Sequence, residues 1–300
     1  MLHYVVAVPI NQRLAEFIGK KGSENGITFY NRKSDNDIIV AVGPSDIEMK
    51  FYGMAEALAV SRQVVISTES VDRSLGEALV AASLMGRHTI ITDDNDIKSI
   101  LAGSELKNFE ISSKEELLGR IIRNKAEKNS NGVAIDIDHA FNVKGVGTVA
   151  LGIVRSGTVK VHDTLYHASG KQVSIRSIQS QDVNIESAEP ETRVGLALKG
   201  MEADEMEKGD VLSSKPVPRI RKFAAAIKMS GFAAERLGTP KRYGFVSNFA
   251  YAEAMIELEE GTTTVVLEKP FPLSEGESFL LLRSNMPRIF ASGIIESIIE

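Results

Sequence analysis

Few residues in this chain have the type and spacing to do chemistry. Gly145 and Gly147 begin a G-x-G pattern of the kind that cradles a dinucleotide. Such a loop needs a helix after it, and Thr148-Val149-Ala150-Leu151 is strand-like instead. The glycines therefore predict a tight turn or bulge, where the backbone needs φ > 0 or close approach. After a first apolar strand, Val5–Val8, comes Pro9-Ile10-Asn11-Gln12-Arg13, with no glycine, lysine, serine or threonine. Pro9 has no N–H to offer a phosphate. Gly19-Lys20-Lys21-Gly22-Ser23 has suitable letters at the wrong spacing and reads as the turn that ends a short helix. His162 and His167 lie in turns without an acidic cluster, which predicts no metal. Asp93, Asp94 and Asp96 form an acidic tip that does not match a calcium loop. No nucleophile elbow or H-E-x-x-H is present, and zero cysteines exclude thiolate chemistry. Binding chemistry remains. Lys215, Arg219, Arg221 and Lys222 flank a Pro-containing linker, and Lys241-Arg242 stand beside Tyr243. Both clusters suit phosphates of RNA, and both equally suit a solvated surface.

Composition narrows the partners. The 300 residues, 43% hydrophobic and 25% charged, describe an ordinary globular chain of two or three domains. Net charge is −5 overall, and is −2 over 1–126, −3 over 127–216 and 0 over 217–300. No segment has the positive field of a general nucleic-acid binder, so DNA is not expected and any RNA contact must be local. No apolar run reaches a membrane-spanning length, and Met1 leads straight into a strand. The expectation is a cytoplasmic protein without membrane partners. Oligomeric state is left open.

The elements that must position these residues fall into three groups. Over 1–126 strands and helices alternate. Strands are expected at His3–Val8, Ile27–Tyr30, Ile38–Val42, Gln63–Ser67 and His88–Ile91. Helices are expected at Leu14–Ile18, Met49–Ser61 and Arg73–Met85, the last stopped by Gly86. Ser113-Lys114-Glu115-Glu116 has capping-box form and opens a further helix. That order predicts an α/β domain with a mainly parallel sheet covered on both faces. The polar stretch 125–132 is a linker. From 133 onward short strands and glycine turns predict a small β-barrel over 127–216 and, after Lys215-Pro216-Val217-Pro218, a second over 217–300.

Ile137-Asp138-His139-Ala140-Phe141-Asn142-Val143-Lys144-Gly145-Val146-Gly147-Thr148-Val149, followed by Gly152 and Arg155-Ser156-Gly157-Thr158-Val159-Lys160-Val161, resembles domain 2 of translational GTPases. Val173–Gln181, Arg193–Gly200 and Lys208–Ser213 fit later strands of that barrel. The F-x-V-K-G-x-G-x-V form most resembles the selenocysteine-specific factor SelB, alongside elongation factor Tu. Leu267-Glu268-Lys269-Pro270 and Gly293-Ile294-Ile295-Glu296 resemble domain 3 of those factors. The resemblance implies a P-loop NTPase-like G domain followed by two barrels, without the extra RNA-binding domain of bacterial SelB.

The resemblance also exposes losses. G-x-x-x-x-G-K-[ST] is absent after the first strand. D-x-x-G is replaced by Ala41-Val42-Gly43-Pro44, and N-K-x-D by Thr92-Asp93-Asp94-Asn95. Gly26-Ile27-Thr28 echoes a switch segment, although a strand start explains it as well. Phosphoryl transfer is positioning plus electrostatics. A degenerate G domain is therefore expected, with no cofactor unless GTP and Mg²⁺ use a non-canonical site. The family use of the barrel implies that the aminoacylated end of tRNA meets Asp138, His139, Phe141, Val143 and Arg193. Asp138 and Arg193 match the SelB-type pocket, or form a structural ion pair, and His139 stands where that family has a second Arg. Phe141 is placed to stack on a base, or to fill the core. Expected partners are aminoacyl-tRNA, the ribosome, or both. The alternatives are a docking or regulatory protein that does not touch tRNA, and a GTPase with an unorthodox loop.

Overall fold

The computed structural model of the chain describes residues 1–34, 36–45, 50–92, 98–124, 132–233, 236–238, 241–259 and 261–299. The acidic tip at Asp93, Asp94 and Asp96 and most of the 125–132 linker lie outside the described residues. So does the 126/127 boundary.

The first domain is built on period-two alternation. Its strands are β1 (Leu2–Ala7), β2 (Lys20–Asn25), β3 (Ile27–Lys33), β4 (Asp37–Pro44), β5 (Gln63–Ser67), β6 (His88–Thr92) and β7 (Phe109–Ser112). They form one sheet in the order β2-β3-β4-β1-β5-β6-β7. β1 runs parallel to β4 and β5, and β5, β6 and β7 continue in parallel. The edge made by β2, β3 and β4 is antiparallel. Val6, Val8, Tyr30, Ile39 and Val65 point to one face, covered by α1 (Gln12–Ile18) and α5 (Lys114–Arg123). Val5, Ala7, Phe29, Val40 and Ile66 point to the other, covered by α2 (Lys50–Val60) and α3 (Arg73–Met85). A short α4 (Lys98–Ala102) precedes β7.

Local signals set the helix ends. Asp72 caps α3 through hydrogen bonds from the Ser74 and Leu75 amides, and Gly86 ends it at φ 62°. Ser113 caps α5 by accepting from the Glu116 amide. Gly19 does end α1, its amide donating to the Ala15 carbonyl, but Lys20-Lys21-Gly22-Ser23 is strand rather than turn and opens β2, paired antiparallel with β3 through the turn at Gly26 (φ 77°). Lys-Lys-Gly-Ser-Glu-Asn has no apolar alternation because it is an edge strand, stabilised by the backbone ladder. Thr28 is a buried strand residue whose hydroxyl meets that of Ser45 at 2.8 Å.

The middle barrel contains β8 (Ala134–Val143), β9 (Gly147–Ser156), β10 (Val159–Lys160), β11 (Thr164–His167), β12 (Gln172–Ser180), β13 (Val183–Ile185), β14 (Ser187–Ala188), β15 (Arg193–Lys199) and β16 (Val211–Ser213). The order β11-β16-β8-β9-β15-β12 closes through pairing of β11 with β12. The third domain is a closed barrel of β17 (Arg219–Met229), β18 (Lys241–Ser247), β19 (Ala250–Glu259), β20 (Thr262–Pro272), β21 (Ser278–Leu282) and β22 (Ile289–Ile298). Its core carries Phe223, Phe245, Phe271, Phe279 and Phe290. The α2/α3 face of the first domain packs onto this barrel. Val246, Phe249, Leu280, Leu282 and Ile289 belong to the same continuous core as the first domain's β-sheet. No helix among the described residues is long and apolar enough to cross a membrane.

Candidate functional site

β8 and β15 bring together residues 55 apart in sequence. β9 lies between them, pairing with both. The β8–β9 register shifts between Ile137 and His139, so Asp138 occupies a bulge. Beyond the bulge, His139, Phe141 and Val143 alternate on one face, His139 exposed and the other two half-buried. Asp138 is buried and meets the Arg193 guanidinium at 2.5 Å. Arg193 Nη1 is buried and has no hydrogen-bond partner. Burial pulls the Arg193 guanidinium below its ordinary range, and Asp138 counters that pull. His139 and Phe141 stack at 5.5 Å between ring centroids. Phe141 lies outside the residues that form the barrel core.

The wall facing this pocket comes from the first domain. Asn25 Nδ2 donates to the Asp138 carbonyl at 3.0 Å and to its carboxylate at 3.4 Å. Arg193 Nη2 donates to Ser23 Oγ at 3.3 Å, and the guanidinium lies 3.7 Å from the Phe29 ring centroid. Lys208 donates to the Asn25 carbonyl and pairs with Glu56 of α2, both at 2.6 Å. Gln181 donates to Asn31 at 3.0 Å. Burial raises the Glu56 carboxyl to about 7 against the pull of Lys208, with Asp138 adding to the rise. Ser23, Asn25, Phe29 and Glu56 escaped the sequence reading. The one local signal for Ser23, Asn25 and Phe29 is the Gly26-Ile27-Thr28 echo, which marks the turn that presents them; Glu56, on α2, has none.

The basic clusters are engaged within the protein. Arg219 pairs with the Asp210 carboxylate. Burial pulls Asp210 up, but His167, the Glu207 amide and Arg219 hold it below the usual carboxylate range. Arg221 donates to the Leu267 carbonyl at 2.9 Å, and Lys222 lies 3.5 Å from Glu257. Arg242 is exposed and 3.7 Å from Glu253, and Lys241 lies over the Tyr243 ring. Lys215 lines a cavity of about 820 Å³ where all three domains meet. There Arg155 joins Asp136 to Glu277 across the barrels, at 3.4 and 2.5 Å. Burial raises Asp136 to about 6 despite Arg155, with Glu277 adding to the rise. His167 binds Asp210 at 2.9 Å, and no metal cluster exists among the described residues.

A second crevice, about 490 Å³, lies beyond the C-terminal ends of β1 and β5, where the sheet order reverses. Among the described residues it is lined by Pro9 and Asn11 and by four acids, Glu16, Glu69, Asp72 and Glu77. Asn11 caps α1 and donates to Ser67 at 3.0 Å and Glu69 at 2.8 Å. Arg288 reaches this crevice from the third domain and forms a two-pronged pair with Glu77.

The family model for elongation factor Tu domain 2 matches residues 147–213, the segment that forms β9 to β16. The selenocysteine-specific elongation factor of Methanocaldococcus jannaschii is 30% identical over 225 residues, covering 64% of this chain and 48% of that protein. Over these segments the chain is similar to elongation factor Tu/SelB-like translation factors. It is a translation elongation factor-like protein. An uncharacterized protein of the same archaeon is 28% identical over 276 residues, covering 88% of this chain and 90% of its own length. The fold matches the crystal structure of SelB from Methanococcus maripaludis in complex with the GTP analogue GppNHp. That match has a TM-score of 0.83 and 19% identity over all of this chain and 80% of the other. The SelB-like chain thus spans about half of its named factor relative. Arg193 lies inside the matched family segment, and Asp138–Val143 lie just before it.

Proposed function

We propose that this SelB-like chain binds the aminoacylated 3′ end of tRNA in the pocket of Asp138, His139, Phe141, Val143 and Arg193, without conventional GTP hydrolysis. One observation carries the reading. A buried carboxylate–guanidinium pair keeps a donor, Arg193 Nη1, without a partner, beside an exposed aromatic stack. A buried donor without an acceptor is costly, so an acceptor on a ligand would be strongly favoured there. The carboxylate suits an ammonium, the guanidinium a carbonyl or side-chain acceptor, and Phe141 with His139 a base. The basic residues Lys215, Lys241 and Arg242 are the cations best placed for phosphates. Arg219 is paired with Asp210 of the middle barrel, and Arg221 and Lys222 with Leu267 and Glu257 of the third domain.

The crevice of the first domain is a poor match for a triphosphate with Mg²⁺. Its described lining carries four acids against two arginines, Arg13 and the Glu77-paired Arg288, it has no lysine, and Pro9 removes an amide. No step is assigned to a nucleotide. The test is binding of aminoacyl-tRNA against the same tRNA deacylated, with Phe141→Ala as the pocket variant. Preference for the charged form, reduced about tenfold in the variant, supports the reading. Equal binding of both forms moves the function to ribosome or partner docking.

A further inference from the structure

The pocket already holds part of its own chain. The β2–β3 hairpin places Ser23, Asn25 and Phe29 on the two side chains that the proposed function needs. Asn25 satisfies Asp138 twice, Ser23 accepts from Arg193, and the Phe29 ring covers the guanidinium face. With the hairpin docked, Asp138 is 1% and Arg193 8% exposed. His139 and Phe141 remain at the surface beside them.

We propose that the β2–β3 hairpin is a built-in competitor for the pocket, and that an aminoacyl end binds by displacing Ser23 and Asn25 from Arg193 and Asp138. The inference rests on the aminoacyl reading of this pocket. Its physical basis is the kind of contact involved. The hairpin meets the middle barrel through polar side chains: Asn25, Ser23, Asn31 with Gln181, and Lys208 on the Asn25 carbonyl. Such bonds are worth little net, because each exchanges for water or for a ligand group. A ligand that brings an ammonium for Asp138 and an acceptor for Arg193 replaces them in kind. β2 is an edge strand on a glycine turn and carries Ser23 and Asn25, so these two can swing off the barrel about β3, whose Phe29 stays in the first domain's core. Opening is then driven by the ligand rather than by a nucleotide. The apparent affinity is the intrinsic affinity reduced by the fraction of open molecules.

Asn25→Ala removes the two bonds to Asp138 and touches no group assigned to the ligand. It should tighten aminoacyl-tRNA binding about fivefold to tenfold, since loss of closed-state bonds raises the open fraction. The opposite arm locks the hairpin. The chain has no cysteine, so Asn31→Cys with Gln181→Cys can be joined cleanly by a short bismaleimide. The linked protein should lose binding of aminoacyl-tRNA, and the unlinked double variant should keep it. Unchanged affinity in Asn25→Ala together with normal binding by the linked protein overturns the proposal. If no form binds aminoacyl-tRNA, the functional reading fails on its own, and amide exchange decides the hairpin. Faster exchange of residues 20–33 and 138–141 together in Asn25→Ala, with the third barrel unchanged, supports a detachable hairpin. Unchanged exchange there refutes it.

Discussion

The first domain makes two interfaces of opposite character. Toward the third domain it is apolar and continuous. Phe249, Leu280, Leu282 and Ile289 share one core with α2 and α3, and the Glu77–Arg288 pair closes its rim. Toward the middle barrel it is largely polar, built on Asn25, Ser23, Arg193 and Lys208, with Ile153 as the barrel's buried apolar contribution. Burial of apolar surface is a cooperative attraction with no replacement in water, whereas polar bonds exchange with solvent or ligand. The difference teaches which joint is a fixture and which can open. It also places the candidate pocket at the joint that can open.

Breaking the apolar interface should have the largest effect. Phe249→Ala removes a buried ring that lies 6.5 Å from Phe29 and should cost about 4 kcal/mol, read as a lowered midpoint in urea. Arg288→Ala comes next. Glu77 is buried, and stripping it of its two-pronged partner should cost about 3 kcal/mol. Both variants should loosen the contact between the first and third domains; Arg288→Ala leaves the hairpin contacts in place, whereas Phe249→Ala also frees one side of Phe29.

The polar interface, through Glu56, and the junction of the two barrels, through Asp136, should respond to pH. Burial raises Glu56 to about 7 and Asp136 to about 6, above their ordinary values, so the native state holds more protons than the unfolded chain between about pH 4 and 7. Stability from these groups is therefore full below about pH 4 and lost as pH rises through 6 and 7. His3, held down to about 4 by burial, contributes in the opposite sense as pH rises to its ordinary value, so the two carboxyls are read by difference. From pH 5 to pH 8 the melting temperature should fall by roughly 5 °C relative to Glu56→Gln with Asp136→Asn. An unchanged difference over this window would contradict the assignment. The smallest stability effect is expected from Asn25→Ala, about 1 kcal/mol, even though its effect on binding is the diagnostic one.

Much of the framework was legible because its signals are local. Asp72, the 3- and 4-residue spacing of Leu75, Ala78, Leu79 and Ala82, and Gly86 define α3 to the residue. The glycine turns and short alternating strands mark the barrels, whereas only the family resemblance joins Asp138 to Arg193 in one pocket. Five strands carry weaker signals: Lys20–Asn25, Phe109–Ser112, Val183–Ile185, Ser187–Ala188 and Lys241–Ser247. β2, β7 and β13 are sheet edges, β14 is two residues long, and Phe109-Glu110-Ile111-Ser112 alternates with its apolar residues outward. What occupies the pocket was invisible for a different reason. Asn25 and Asp138 are 113 residues apart, and no spacing rule reports a contact made by docking two domains. The same holds for Arg219, whose charge suggested RNA until Asp210 supplied its partner.

The most direct test of the account is a single binding comparison at fixed moderate salt. One tRNA preparation is offered aminoacylated and deacylated, each with and without GTP and Mg²⁺. The account predicts at least a tenfold preference for the aminoacylated form, unchanged by nucleotide. Equal affinity for both forms, or a preference that appears only with GTP, would contradict it.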